Sequence, residues 1–245
     1  MKKMLLLLAA LTLSAAAFAQ DREIDLEELG ELNKIEITSG GKVETDLNLA
    51  FPMYFGASAL VGTNYKGEWT AVNNYHFLDM RTAKNFVYGL QLADLRIRYN
   101  ALDVSLGLRW TFMDFTFADS ANTLRPVGKV YMPYPIKMES SNYDGRKSKI
   151  HASYFGIPLR VGVNLGKVSV YAGASAELLT GGYTKYKRPR YREQCREVFN
   201  PFRATVEGGF SYGSLGVFVM YGLTPLFQES LSDARTLTFG FLLGL

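Results

Sequence analysis

Thr236-Leu237-Thr238-Phe239-Gly240-Phe241-Leu242-Leu243-Gly244-Leu245 closes the chain, and its period is two. Leu237, Phe239, Phe241, Leu243 and Leu245 form one phase; Thr236, Thr238, Gly240, Leu242 and Gly244 form the other. Successive side chains of a β-strand point to opposite faces, so this segment has one large apolar face and one mostly small face. Working back toward the amino terminus, the alternation recurs over 215–224, 202–212, 168–183, 154–165, 101–112, 86–99 and 47–61. In 101–112, for example, Leu102, Val104, Leu106, Leu108, Trp110 and Phe112 oppose Asp103, Ser105, Gly107, Arg109 and Thr111. In 86–99 the two halves are out of phase, which predicts a β-bulge near Leu92.

Eight strands follow, and the connections between them fall into two classes. Short turns are read at Asn100, at Gly166-Lys167 and at Gly213-Ser214; long connections cover 62–85, 117–153, 180–201 and 225–234. They alternate long and short, so all long loops emerge at one end and all tight turns at the other. That pattern predicts an all-β fold, an eight-stranded antiparallel transmembrane β-barrel in an up-and-down meander.

The composition of the polar phase decides which face points outward. A water-soluble barrel would hold the apolar phase inside, and its outer phase would be rich in Lys and Glu. Here the polar phase carries Asp94, Arg96, Arg98, Asp103, Arg109, Arg160, Glu177, Arg203 and Glu207 among Gly, Ser, Thr, Asn and Tyr, while Lys is confined to loops, turns and strand ends. Arginine forks match carboxylates bidentately, so these nine residues read as a charge network filling the lumen. The apolar phase then faces lipid. Aromatics near strand ends, among them Tyr99, Trp110, Tyr154, Phe155, Tyr183, Phe202 and Tyr212, fit interfacial girdles, although strands are rich in aromatics in any setting.

The amino terminus fits export. Lys2 and Lys3 precede an apolar run that ends at Ala17-Phe18-Ala19, so residues 1–19 read as a cleaved signal peptide. Residues 20–42 are polar and acidic and are expected to form a periplasmic lead-in, with the barrel over 43–245. Losing Lys2 and Lys3 lowers the formal net charge from +4 to +2, a balance that favours no particular partner. Cys195 is the one cysteine, so no internal disulfide forms and stability has to come from a closed hydrogen-bonded sheet.

Lys147-Ser148-Lys149-Ile150, Gly156-Ile157-Pro158-Leu159, Tyr171-Ala172-Gly173, the run from Tyr221 to Phe227 and the closing decade resemble the PorT-like outer-membrane β-barrel domain proteins of the Bacteroidota. The resemblance covers roughly residue 86 to the end. It implies a barrel in the outer membrane and no catalytic residues. Thr238, Gly240, Leu243 and Leu245 also resemble the terminal signal read by the barrel-assembly machinery, with Leu245 standing where that signal usually has Phe.

Few residues carry reactive chemistry. His76 with Asp79, and His151 with Ser153, contain the residue types that lipid A-modifying barrels use, but their spacing matches no nucleophilic constellation and they read as polar loop residues. No Cys/His cluster has metal-ligand spacing, and Gly181-Gly182 has no strand-to-helix context for a phosphate loop. The sharpest local feature is the run from Tyr183 to Arg192, where Lys185, Lys187, Arg188, Arg190 and Arg192 interleave with three tyrosines. It reads as a solvated loop or as an anion-binding loop for lipopolysaccharide phosphates; nucleic acid is excluded by an outward position on an exported barrel. The expected protein is a monomer in contact with outer-membrane lipid, with no cofactor and a structural or interaction role. A narrow solute pore, an accessory of secretion and a lipid A-modifying enzyme are the rival classes.

Overall fold

The computed structural model describes residues 37–39, 41–48, 52–75, 78–127, 130–136, 147–187 and 190–244. The predicted signal peptide, most of the lead-in, His76, Arg188 and Leu245 lie outside them. In chain order the strands are β1 (Ile37–Ser39), β2 (Gly41–Asn48), β3 (Met53–Val61), β4 (Phe86–Tyr99), β5 (Leu102–Thr116), β6 (Asn122–Val127) and β7 (Val130–Pro135). They continue as β8 (Ser148–Leu165), β9 (Val168–Tyr186), β10 (Tyr191–Gln194), β11 (Phe202–Tyr212), β12 (Leu215–Gly222) and β13 (Arg235–Leu243). Every pairing is antiparallel. The order β4-β3-β13-β12-β11-β9-β8-β5 closes through β4–β5, giving an eight-stranded barrel. Closure leaves the wall without a free edge.

The three tight turns fall where the sequence places them. Each has positive φ at its first residue: Asn100 (54°), Gly166 (73°) and Gly213 (59°). Positive φ at the first residue of a two-residue hairpin is met by Gly without strain and is tolerated by Asn better than by other side chains. The bulge near Leu92 is also present, as a register shift between Gln91 and Ala93 against β5.

Several elements differ from the expectation. The first wall strand is two pieces, with β2 against the turn-end half of β4 and β3 against its loop-end half; β1 and the first two residues of β2 fall at the end of the segment read as a lead-in. Strand β8 begins at Ser148, β9 runs to Tyr186 and β5 to Thr116, each beyond the expected loop-end limit. The second long loop carries the hairpin β6–β7. The ends of the basic run lie on strands, Lys185 on β9 and Arg192 on β10, which pair directly.

Two phases separate cleanly along the wall. Phe55, Ile157, Leu159, Val161, Val170, Val206, Val219, Phe239 and Phe241 are all exposed on the outside. Tyr54, Phe218, Met220, Leu242 and most of the polar phase, Arg109, Arg160, Glu177, Arg203 and Glu207 among it, are buried inside. Glycines make room for the inner rings: a Cβ at Gly89 would lie 2.2 Å from the Tyr54 ring, and one at Gly209 would lie 2.3 Å from the Tyr171 ring.

Candidate functional site

The middle of the lumen is a continuous ion chain. Arg160 Nε meets Glu207 Oε1 at 2.5 Å, and the other oxygen of Glu207 meets Arg109 Nη1 at 2.5 Å. Arg109 Nη2 then reaches Glu177 Oε1 at 3.0 Å, and Glu177 Oε2 meets Arg203 Nη1 at 2.5 Å. All five side chains are buried, so the pairing is obligatory: an isolated charge in such a setting costs several kcal/mol. Neutral groups complete the layer. Arg160 donates to Gln91 Oε1 at 2.8 Å, Arg109 donates to Ser175 Oγ at 2.8 Å, and Arg203 reaches Thr236 Oγ1 at 3.2 Å. Ser175 and Thr205 hydroxyls lie 2.7 Å apart.

Each of the three arginines also faces a tyrosine ring. Arg109 lies 5.5 Å from the centroid of Tyr54, Arg160 5.1 Å from Tyr171, and Arg203 5.8 Å from Tyr154. With three cations and two carboxylates the layer holds one excess positive charge, and the electron-rich ring faces are placed to offset it. These tyrosines carry no period of their own, so only the barrel register reveals the arrangement.

The remaining four predicted lumen charges form a second group near the turn end. Arg96 pairs with Asp94 at 3.0 Å and with Asp103 at 3.4 Å; Arg98 stands 3.9 Å from Asp103. Asn164 donates to Asp103 Oδ2 at 3.1 Å. The Arg98 side chain is 39% exposed, so this group opens toward water where the central one does not.

The loop end holds an apolar cap that the sequence did not reveal. Trp69, Leu78, Leu124, Cys195, Val198, Phe199, Leu226, Phe227 and Leu231 come from all four long loops and pack on Met113, Phe115, Ile150 and Tyr154 of the wall. The loops are tied around the rim in sequence. Met80 bridges Phe117, and Trp69 Nε1 donates to the Tyr131 carbonyl at 2.8 Å. Tyr131 donates to the Gln194 carbonyl at 2.7 Å, Phe199 bridges Phe227, and Tyr65 bridges Ser232.

On the outer wall, His151 Nδ1 contacts Asp114 Oδ1 at 2.8 Å, and Lys149 Nζ contacts Asp114 Oδ2 at 3.1 Å. His151 stacks on Tyr183 at 4.5 Å. Ser153 follows on the same face, but its hydroxyl accepts from Thr180 at 2.9 Å, and no hydrogen bond joins it to His151 among the described residues. Among the described residues there is no group of three or more His, Cys, Asp or Glu side chains able to hold a metal ion.

Of the predicted basic run, Lys185 and Arg192 are cross-strand neighbours, while Lys187 and Arg190 flank the turn beyond them. Thr238, Gly240 and Leu243 lie on β13, with Thr238 and Gly240 facing inward and Leu243 outward. A Cβ at Gly240 would lie 2.1 Å from the Phe55 carbonyl oxygen, which accounts for glycine there. No family profile, curated protein or solved structure matches the chain.

Proposed function

We propose that this chain is an integral outer-membrane β-barrel, of the kind that the PorT-like resemblance implies, with a filled lumen and a structural or interaction role in the envelope. The carrying observation is the inversion of polarity across the wall: charge is buried inside and large apolar side chains are exposed outside. A barrel in water has the opposite arrangement. The height of the outer apolar band supports the reading. On β8 the outward positions Leu165, Val163, Val161, Leu159, Ile157 and Phe155 follow without a polar interruption. Ten residue steps span about 33 Å along a strand, and a tilt of about 40° reduces this to about 25 Å, the height of such a band in membrane barrels.

A filled centre speaks against a solute pore, since eight strands leave room for little more than side chains. Export through a cleaved signal peptide, insertion by the barrel-assembly machinery and a monomeric state belong to the same reading. We assign no catalytic role: among the described residues Ser153 has no base hydrogen-bonded to it. The test is cell fractionation with electrophoresis of unheated and heated samples. The protein is expected in the outer-membrane fraction with a heat-dependent mobility. Recovery as a soluble periplasmic protein without detergent is the contradicting result.

A further inference from the structure

We infer that the outward face of β8, β9 and β10, immediately beyond the aromatic band, is a binding site for the phosphate groups of a lipid headgroup in the surrounding leaflet. The inference rests on the membrane reading above and adds a ligand class to it.

Register defines the face. Residues directly opposite in an antiparallel pair share a side of the sheet. Trp110 pairs with Phe155, Asp114 with His151, and His151 with Tyr183, so these are all on the outer side with the exposed Trp110. One step further toward the loops, Lys149 pairs with Lys185, and Lys185 pairs with Arg192. Three cations therefore stand in one row across three neighbouring strands. Beyond them Lys187 N donates to the Lys147 carbonyl at 3.2 Å, which begins a second cationic row.

Like charges placed directly opposite destabilise a sheet. Among the described residues the carboxylate on this face is Asp114, already shared by Lys149 and His151. Glu193 alternates with Arg192 along β10 and turns to the other side, where it meets Arg125 and Tyr191. The Lys147 ammonium is held below its ordinary range, first by Lys149, then by burial and Lys187. Lys147, Lys149, Lys185, Lys187, Tyr186 and Asp114 line a cleft of about 290 Å³. Lys149, in its lining, is only 7% exposed.

Position selects the class of anion. The row Lys149–Lys185–Arg192 lies two residues beyond the stacked His151–Tyr183 pair, about 5 Å in height for a tilted strand. Arg192 folds back over the Tyr183 ring at 3.8 Å and Lys185 over the same ring at 5.1 Å. Cations snorkelling just above an aromatic girdle meet the headgroup layer. A tetrahedral, multiply charged phosphate can accept from several of them at once.

The test uses the full mature protein in detergent micelles, with diphosphorylated lipid A, its dephosphorylated form and inorganic phosphate as probes. Membrane insertion and heat-dependent mobility are recorded first for every variant, so a failure of the membrane reading shows there and not in the binding data. The wild type is expected to retain the diphosphorylated lipid and release the dephosphorylated one. Lys147→Glu with Lys187→Glu is expected to weaken retention about tenfold or more at low salt, whereas Lys147→Arg with Lys187→Arg preserves it. Inserted charge-reversed protein that binds like wild type overturns the site. Equal retention of both lipid forms, or equally tight binding of inorganic phosphate, overturns the headgroup assignment.

Discussion

Glu207 illustrates how much hangs on single side chains here. It accepts from Arg109 and Arg160 together, so Glu207→Ala leaves two buried guanidiniums without their shared countercharge. Breaking a buried pair costs about 3–5 kcal/mol, and the unfolding midpoint in detergent is expected to fall accordingly. Asp103 provides the contrast. Its partners Arg96 and Arg98 are partly exposed, and pairs near water contribute about 0–1 kcal/mol; Asp103→Asn is expected to melt within a few degrees of wild type. Cys195 supplies a pH-dependent case. Burial, with Glu197 and Glu193 adding to it, pushes its thiol up to about 12, against about 8.5 for an exposed thiol. A raised folded-state value means that the stabilising contribution is complete below about pH 8.5. It is lost as the pH climbs toward 12, because the unfolded chain releases its proton first. The loop cap is therefore expected to loosen in alkali, with a shallower slope in Cys195→Ala. Since thiolate is the reacting species, a maleimide is expected to leave the folded protein unlabelled at pH 8 and to label it after denaturation.

Strand β12 shows the elements' division of labour, with Val217 and Val219 outside and Phe218 and Met220 inside. Val219→Arg places a charge on the apolar band and is expected to cost about 2–4 kcal/mol, seen as a smaller heat-modifiable fraction after refolding into vesicles. Val219→Leu is expected to fold like wild type. Elements of this kind were legible from sequence because both their phases have a constant environment. The same holds for the hairpins at Asn100, Gly166 and Gly213, whose turn residues meet a local backbone demand, and for the Leu92 bulge, which breaks the phase in the sequence itself. Legibility ends where alternation ends. From Ser148 to Ser153 every residue of β8 is buried, so the contrast between two faces vanishes and this part of the strand reads as loop. The cap from Trp69 to Leu231 has no period at all, since its members meet only through loop closure. The contact of His151 with Asp114, and the row Lys149–Lys185–Arg192, depend on the pairing register of separate strands, and no single segment carries it. The lumen charges were legible as a set because each falls on the inner phase, but their partners were not.

At the scale of the whole molecule, three layers lie along the barrel axis: a partly hydrated ion group at the turn end, a buried ion chain in the middle and an apolar cap tied around the loop rim. None of the five residues of the central ion chain is more than 8% exposed. The intact protein is accordingly expected to give no steady conductance in a planar bilayer, and a sustained unitary current would return the solute-pore reading. The central claim, that the exposed apolar phase faces lipid, can be read from the two native tryptophans. Trp110 stands on the outer wall at 39% exposure, while Trp69 is fully buried in the loop cap. In vesicles whose acyl chains carry bromine, the Trp110 emission is expected to be quenched, and Trp110→Phe is expected to leave a Trp69 signal that the bromine does not reach. Quenching of Trp110 by aqueous iodide, with no effect of brominated chains, would place the outer face in water and contradict the account.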